Sequence, residues 1–179
     1  MKSKSVRRLV VAFAMAFLTT VLAQVQIEIG PIPINLALIS AYLTGMVFTP
    51  LWALISMGIY LGLGALGLPI FSGFTGGLDI LLGESGGYLL GYLVIALLIS
   101  FAQKISEEKL RYTLIAAALG LLACYAMGTA WFMFVNHATF EQSAIICITP
   151  FVLPDLGKLL LSLILGQGLR DKLYLEGMV

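Results

Sequence analysis

The run LRYTLIAAALGLLACYAMGTAWFMFV, residues 110–135, decides the fold class. From Tyr112 to Val135 it holds no charged residue, and it exceeds the roughly 20 apolar residues that cross a bilayer core about 30 Å thick. A water-soluble helix of that length would show a polar face. The rest of the chain is made of the same material: of 179 residues 60% are hydrophobic and 11% charged, with a mean hydropathy of +1.05. Soluble domains carry about a quarter charged residues, so this composition cannot coat a water-facing surface. It excludes an ordinary soluble enzyme and a disordered segment, and ten Lys+Arg against nine Asp+Glu exclude a nucleic-acid binder. The expectation is an all-α integral membrane protein, one membrane-embedded domain over residues 1–179.

Cutting the chain at the same length gives six transmembrane helices. They run from about Val6 to Ala23, Asn35 to Phe48, Leu51 to Leu68, Gly87 to Ala102, Leu110 to Val135 and Pro154 to Leu173. Thr49-Pro50 separates the second from the third, because proline is accepted in the first turn of a helix and not in its interior. Thr139-Phe140-Glu141-Gln142 has capping-box spacing, and the apolar run Ser143 to Thr149 behind it ends at Pro150, too short to span; it reads as a surface helix or lid. Met1 to Ala23 also has the basic start and small-residue Val21-Leu22-Ala23 ending of a signal peptide. It is read here as a retained first span.

Threading six spans from a cytoplasmic start puts Lys2, Lys4, Arg7, Arg8, Lys104, Lys109, Arg111, Arg170 and Lys172 on the inner side. The outer connections carry Glu28, Asp79, Glu84 and Glu141 and no Lys or Arg. Both termini are therefore expected in the cytoplasm, with the protein in the cell membrane.

Most of the nineteen glycines fall between Gly58 and Gly91. Gly58 and Gly62, like Gly87 and Gly91, stand four apart, a spacing that lets helix backbones approach. Between the third and fourth helices lies a long Gly-rich extracellular loop that is still apolar, with Phe71 and Phe74 where a wetted loop would be polar. Long loops without secondary structure are functional or disordered, and the aromatics argue against disorder. The loop is expected to fold back and close a small-molecule pocket, with Gly86 and Gly87 at its end beside the ligand.

Two charges fall inside a span. Asp155 and Lys158 at i and i+3 share a face of the sixth helix, continued by Ser162. Ionisable groups in a span are costly and turn to the bundle interior, so the pair marks a binding site. A Lys partners a carboxylate and an Asp accepts from amide-like N–H groups, which suits a small amphipathic acid. The outer segment Ile29 to Asn35 can add a wall, although Asn35 also fits a helix N-cap.

Enzyme motifs are weaker. Gly83-Glu84-Ser85-Gly86-Gly87 is similar to the nucleophile segment of serine proteases, including intramembrane ones, but the single histidine, His137, belongs to a polar outer loop. Gly157-Lys158 lacks the upstream glycine and the Ser/Thr of a phosphate-binding loop, where Val152 and Leu159 stand. Cys124 and Cys147 sit in apolar runs as small hydrophobes, and no metal-ligand cluster is present in the sequence.

Gly67-Leu68-Pro69-Ile70-Phe71, Gly83-Glu84-Ser85-Gly86-Gly87-Tyr88-Leu89-Leu90-Gly91-Tyr92 and Pro150 to Lys158 together resemble the BioY family, with the Pro31-x-Pro33 segment in addition. The sequence departs from the family pattern at Glu84-Ser85, usually Pro-Thr, and at Pro154, often Gly. The resemblance implies a biotin-specific S component of an energy-coupling factor transporter, a transport subunit and not an enzyme, with biotin as ligand and no cofactor. It implies docking, through Ala12 and Ala16 on the first helix, onto a transmembrane scaffold that carries two cytoplasmic ATPases. It further implies that Lys158 meets the valerate carboxylate and Asp155 the ureido N–H groups, that Tyr88 and Phe71 pack the ring system, and that the loop from Phe71 to Gly87 opens. The rival readings are an S component for another small vitamin and an intramembrane serine protease built on Ser85.

Overall fold

In a computed structural model, residues 2–28, 30–106 and 109–175 are described. Ile29 and the side chains of Lys2 and Lys4, which enter the sequence reading, lie outside the described residues. The helices are α1 (Lys2–Gln24), α2 (Ala37–Val47), α3 (Pro50–Ala65), α4 (Leu78–Leu82), α5 (Gly86–Ile105), α6 (Leu110–Asn136), α7 (Phe140–Cys147) and α8 (Val152–Leu175). Two short antiparallel strands, β1 (Gln26–Ile27) and β2 (Ile34–Asn35), fold the segment after α1 into a hairpin with Gln26 opposite Asn35.

Four of these helices, over 5–24, 86–105, 110–136 and 152–173, are long and apolar enough to cross a membrane. The second and third expected spans are shorter, 11 and 16 residues. All 11 residues of α2 are buried. A helix apolar on every side belongs in the centre of a bundle, and α1, α3, α5 and α8 surround this one. Outer faces are apolar instead of charged: Val10 and Phe17 on α1 are 62% and 69% exposed, Leu153 and Ile164 on α8 81% and 74%. That inversion is what a lipid-facing surface requires.

Close approach is achieved by glycine and by small polar rungs. A Cβ at Gly91 would lie 3.0 Å from the Cys124 Cα, and one at Gly87 2.9 Å from the Gly128 Cα, so α5 and α6 pack backbone to backbone. Gly58 and Gly62, with identical spacing, meet no described atom within 4 Å and are exposed on α3. Thr19 Oγ1 lies 2.8 Å from Ser40 Oγ, and Ser56 Oγ donates to the Ala12 carbonyl at 3.0 Å, tying α1 to α2 and α3. Ala12 and Ala16, assigned by resemblance to a docking surface for a scaffold, are 0% and 4% exposed. Ala16 packs with Tyr60 and Phe71. In this structure the small side chains admit α3 of the same chain.

The connection from α3 to α5 is not structureless. It holds a 3-10 turn at Ser72–Phe74 and the short helix α4. Gly67, Gly73 and Gly77 adopt φ values of +96°, +69° and +108°, which glycine reaches without a Cβ penalty. α7 forms with the expected capping box, Thr139 Oγ1 accepting from Gln142 N and Gln142 Oε1 from Thr139 N. α8 starts two residues before Pro154, whose missing N–H is harmless in a first turn.

Candidate functional site

Asp155 lies in the first turn of α8, where the helix dipole favours a carboxylate. Lys158 is one turn on, and its Nζ donates to Asp155 Oδ1 at 2.6 Å. The second carboxylate oxygen, Oδ2, accepts from the Tyr125 hydroxyl of α6 at 2.9 Å. Asp155 and Lys158 are 4% and 7% exposed. A buried charge is tolerable only when paired and hydrogen-bonded, and here both conditions hold. The result is a floor of no net charge that still offers ammonium N–H donors and carboxylate acceptors.

Above that floor is a cavity of about 230 Å³. Phe71, Tyr88, Tyr92 and Phe151 supply aromatic walls, and Tyr88 stacks on Phe151 with centroids 5.8 Å apart. The Tyr88 hydroxyl donates to the Cys147 carbonyl at the end of α7, fixing the ring against α7 and α8. Asn35 does two things at once. Its Oδ1 accepts at 2.9 Å from the N–H of Ala37, the first residue of α2, from one position before the N-cap Leu36, while its Nδ2 donates to Ser72 Oγ at 2.7 Å. Pro31, Pro33, Ser72, Thr75 and Ser85 are among the less buried lining residues and form the mouth.

Five residues singled out in the sequence thus meet at one cavity: Asp155, Lys158, Tyr88, Phe71 and Asn35. Gly86 and Gly87 do not line it. They pack at the start of α5, where a Cβ on Gly86 would meet the Leu81 carbonyl oxygen and one on Gly87 the Trp131 side chain. Trp131 Nε1 also donates to the Gly83 carbonyl at 2.9 Å, so α6 holds the end of the loop. At both positions the missing side chain lets α5 lie close to its neighbours.

Tyr125, Tyr92 and Phe151 escaped the sequence reading. Tyr125 carried a usable signal: tyrosine in a span favours the interfaces, and one near the middle of α6 needs a partner for its hydroxyl. Ser85 lines the mouth and precedes α5, but no hydrogen bond joins it to His137, which ends α6 with φ +52°. Burial pushes the Cys147 thiol up to about 11, so it stays protonated at neutral pH. Neither group is an activated nucleophile.

The profile of the BioY family matches residues 1–174. The chain belongs to the BioY family. A probable biotin transporter BioY of Pyrococcus horikoshii is 35% identical over 170 residues, covering 95% of this chain and 98% of that protein. The biotin transporter BioY of Thermotoga maritima is 31% identical over 95% of this chain and 99% of its own length. A crystal structure of the S component for biotin from an ECF-type ABC transporter superposes with a TM-score of 0.88 at 28% identity, covering 96% of this chain and 94% of that one. A BioY protein is a multi-pass membrane transport subunit, which is what the apolar helices required.

Proposed function

We propose that this BioY protein is the high-affinity biotin-binding subunit for biotin uptake, one membrane-embedded capture domain energised by a separate scaffold and two ATPases. The observation that carries the reading is the neutral floor made by Asp155, Lys158 and Tyr125. A urea ring presents one carbonyl acceptor between two N–H donors. An ammonium beside a carboxylate presents the complementary set, and needs no net charge on the ligand at that end. Lys158 is already paired with Asp155, so we assign both to the ureido ring, and the valerate carboxylate to the wetter mouth instead of to Lys158. Phe71 and Tyr88 then flank the apolar middle of the ligand.

The test is binding of tritiated biotin to the purified full-length protein. 2-Iminobiotin, which replaces the ureido oxygen by nitrogen, should compete far more weakly than biotin amide, which lacks only the carboxylate charge. Equal competition by the two would overturn the assignment. Tyr125→Phe leaves a buried carboxylate oxygen without its donor, a loss of about 1–3 kcal/mol, and should weaken biotin by roughly tenfold or more. Ser85→Ala removes one of several hydroxyls at the mouth, beside Ser72 and Thr75, and leaves the floor intact, so it should weaken binding less than Tyr125→Phe does. A fluorophosphonate probe should leave Ser85 unlabelled; labelling would revive the hydrolase.

We further place six crossings in the cell membrane, with α2 and α3 as short central spans joined at Thr49-Pro50. The support is charge: Arg7, Arg8, Lys104, Lys109, Arg111 and Lys172 cluster at one set of helix ends, Glu28, Asp79, Glu84 and Glu141 at the other connections. Both termini then face the cytoplasm, and the 66–85 loop faces outward.

A further inference from the structure

One polar side chain at the end of α1 is engaged by a segment far along the sequence. Gln24 Oε1 accepts from Phe74 N at 2.8 Å, and its Nε2 faces the carbonyls of Phe71 and Ile70 at 3.1 and 3.3 Å. The segment it holds reaches the ligand cavity, since Phe71, Ser72 and Thr75 all line it. Within the segment, Phe71 N donates to the Thr75 carbonyl at 2.9 Å, making a closed turn. Phe74 takes a left-handed φ of +56°, unusual outside glycine, and its amide is the one that Gln24 accepts. The remaining ties are sparser: Asn35 to Ser72, and Gly77 N to the Gly64 carbonyl at 2.7 Å.

We propose that Gln24 is a positioning residue that latches the 70–75 turn over the cavity and thereby sets how long the ligand stays. It does not itself line the cavity, so it acts through Phe71, Ser72 and Thr75. Nε2 has two hydrogens and also reaches Thr20 O of its own helix at 3.1 Å, so loss of the amide frees the Phe74 N–H and at least one carbonyl of the turn, and leaves the floor of the site untouched. The consequence is faster exit with recognition unchanged. This rests on the biotin reading given above.

The experiment is a chase of tritiated biotin from the full-length protein in nanodiscs, with amide hydrogen exchange of the ligand-free protein alongside. Gln24→Ala should speed dissociation by about tenfold, as expected from losing about two hydrogen bonds to the turn of modest net strength. Association should change by less than about threefold, because the cavity is intact. Amides of residues 70–77 should exchange about tenfold faster, with α5 and α6 unaffected. Gln24→Glu, which keeps an acceptor for Phe74 N but loses the donors, should fall between. Gln26→Ala is the neighbouring control, since that amide lies beside Gly73 but donates its hydrogen bond to Glu28. Dissociation and loop exchange both within twofold of wild type in Gln24→Ala would overturn the latch, and so would a uniform rise in exchange across the helices, which marks a folding defect. Failure of the wild-type protein to retain biotin would overturn the biotin reading, while loop exchange would still report on the latch.

Discussion

Asp155→Ala is expected to abolish biotin binding and to cost the folded protein about 3–5 kcal/mol, the loss typical of removing one member of a buried ion pair. Lys158 is 7% exposed, and its ammonium donates to Asp155 Oδ1 at 2.6 Å. Without the carboxylate a positive charge would remain at the floor of an aromatic cavity, and the Tyr125 hydroxyl would lose its acceptor as well. The cost should therefore exceed that of Tyr125→Phe. It should also exceed that of the double replacement Asp155→Leu with Lys158→Met, since exchanging a whole buried pair for apolar groups is often neutral or stabilising. Melting followed in detergent should place the double variant above Asp155→Ala, while neither binds biotin. If Asp155→Ala melts with the wild type, the pair is hydrated and the dry neutral floor is wrong. If the double variant still binds biotin, the ureido ring is recognised elsewhere.

That pair was legible because charge is scarce: in an apolar helix two ionisable side chains at i and i+3 share a face by helical geometry alone. The third member, Tyr125, belongs to another helix and enters through a hydrogen bond to a residue 30 positions away, a distance that no local spacing encodes. Glycine and alanine spacing was legible as packing but not as to what packs. Gly87 and Gly91 are pressed onto α6, Gly58 and Gly62 point away from every described neighbour, and Ala12 and Ala16 face inward. All three pairs have the same four-residue repeat. What separates them is which side of the helix the bundle lies on, and that is set by the tertiary arrangement. Helix length shows the same limit: the apolar run before Thr49-Pro50 located α2, but only its complete burial explains how an 11-residue helix can be central.

Gly64→Val is expected to displace the aromatic wall of the site. A Cβ on Gly64 would run into the Phe71 ring. The ring is 1% exposed and stands edge-on to Tyr60, with centroids 5.4 Å apart and planes at 78°. It has little room to retreat on that side, because Ala16, Leu61 and Leu89 close the same cluster. The outward route is restrained by the hydrogen bonds of the 70–75 turn to Gln24. What gives way is the position of Phe71 against the cavity that it lines. Overpacking of this kind costs about 1–3 kcal/mol, and biotin binding should weaken by roughly tenfold to a hundredfold, a comparable free energy. Phe71→Ala alone should destabilise by about 3–5 kcal/mol, as for other buried phenylalanines. Combining the two removes the clash, so the double variant should be less unstable than the sum of the singles by about 1–3 kcal/mol. Gly58→Val, on the outer face of the same helix, should melt with the wild type. Additivity of Gly64→Val and Phe71→Ala in a double-mutant cycle would show that the ring does not rest on Gly64, and the loop would have to be seated elsewhere.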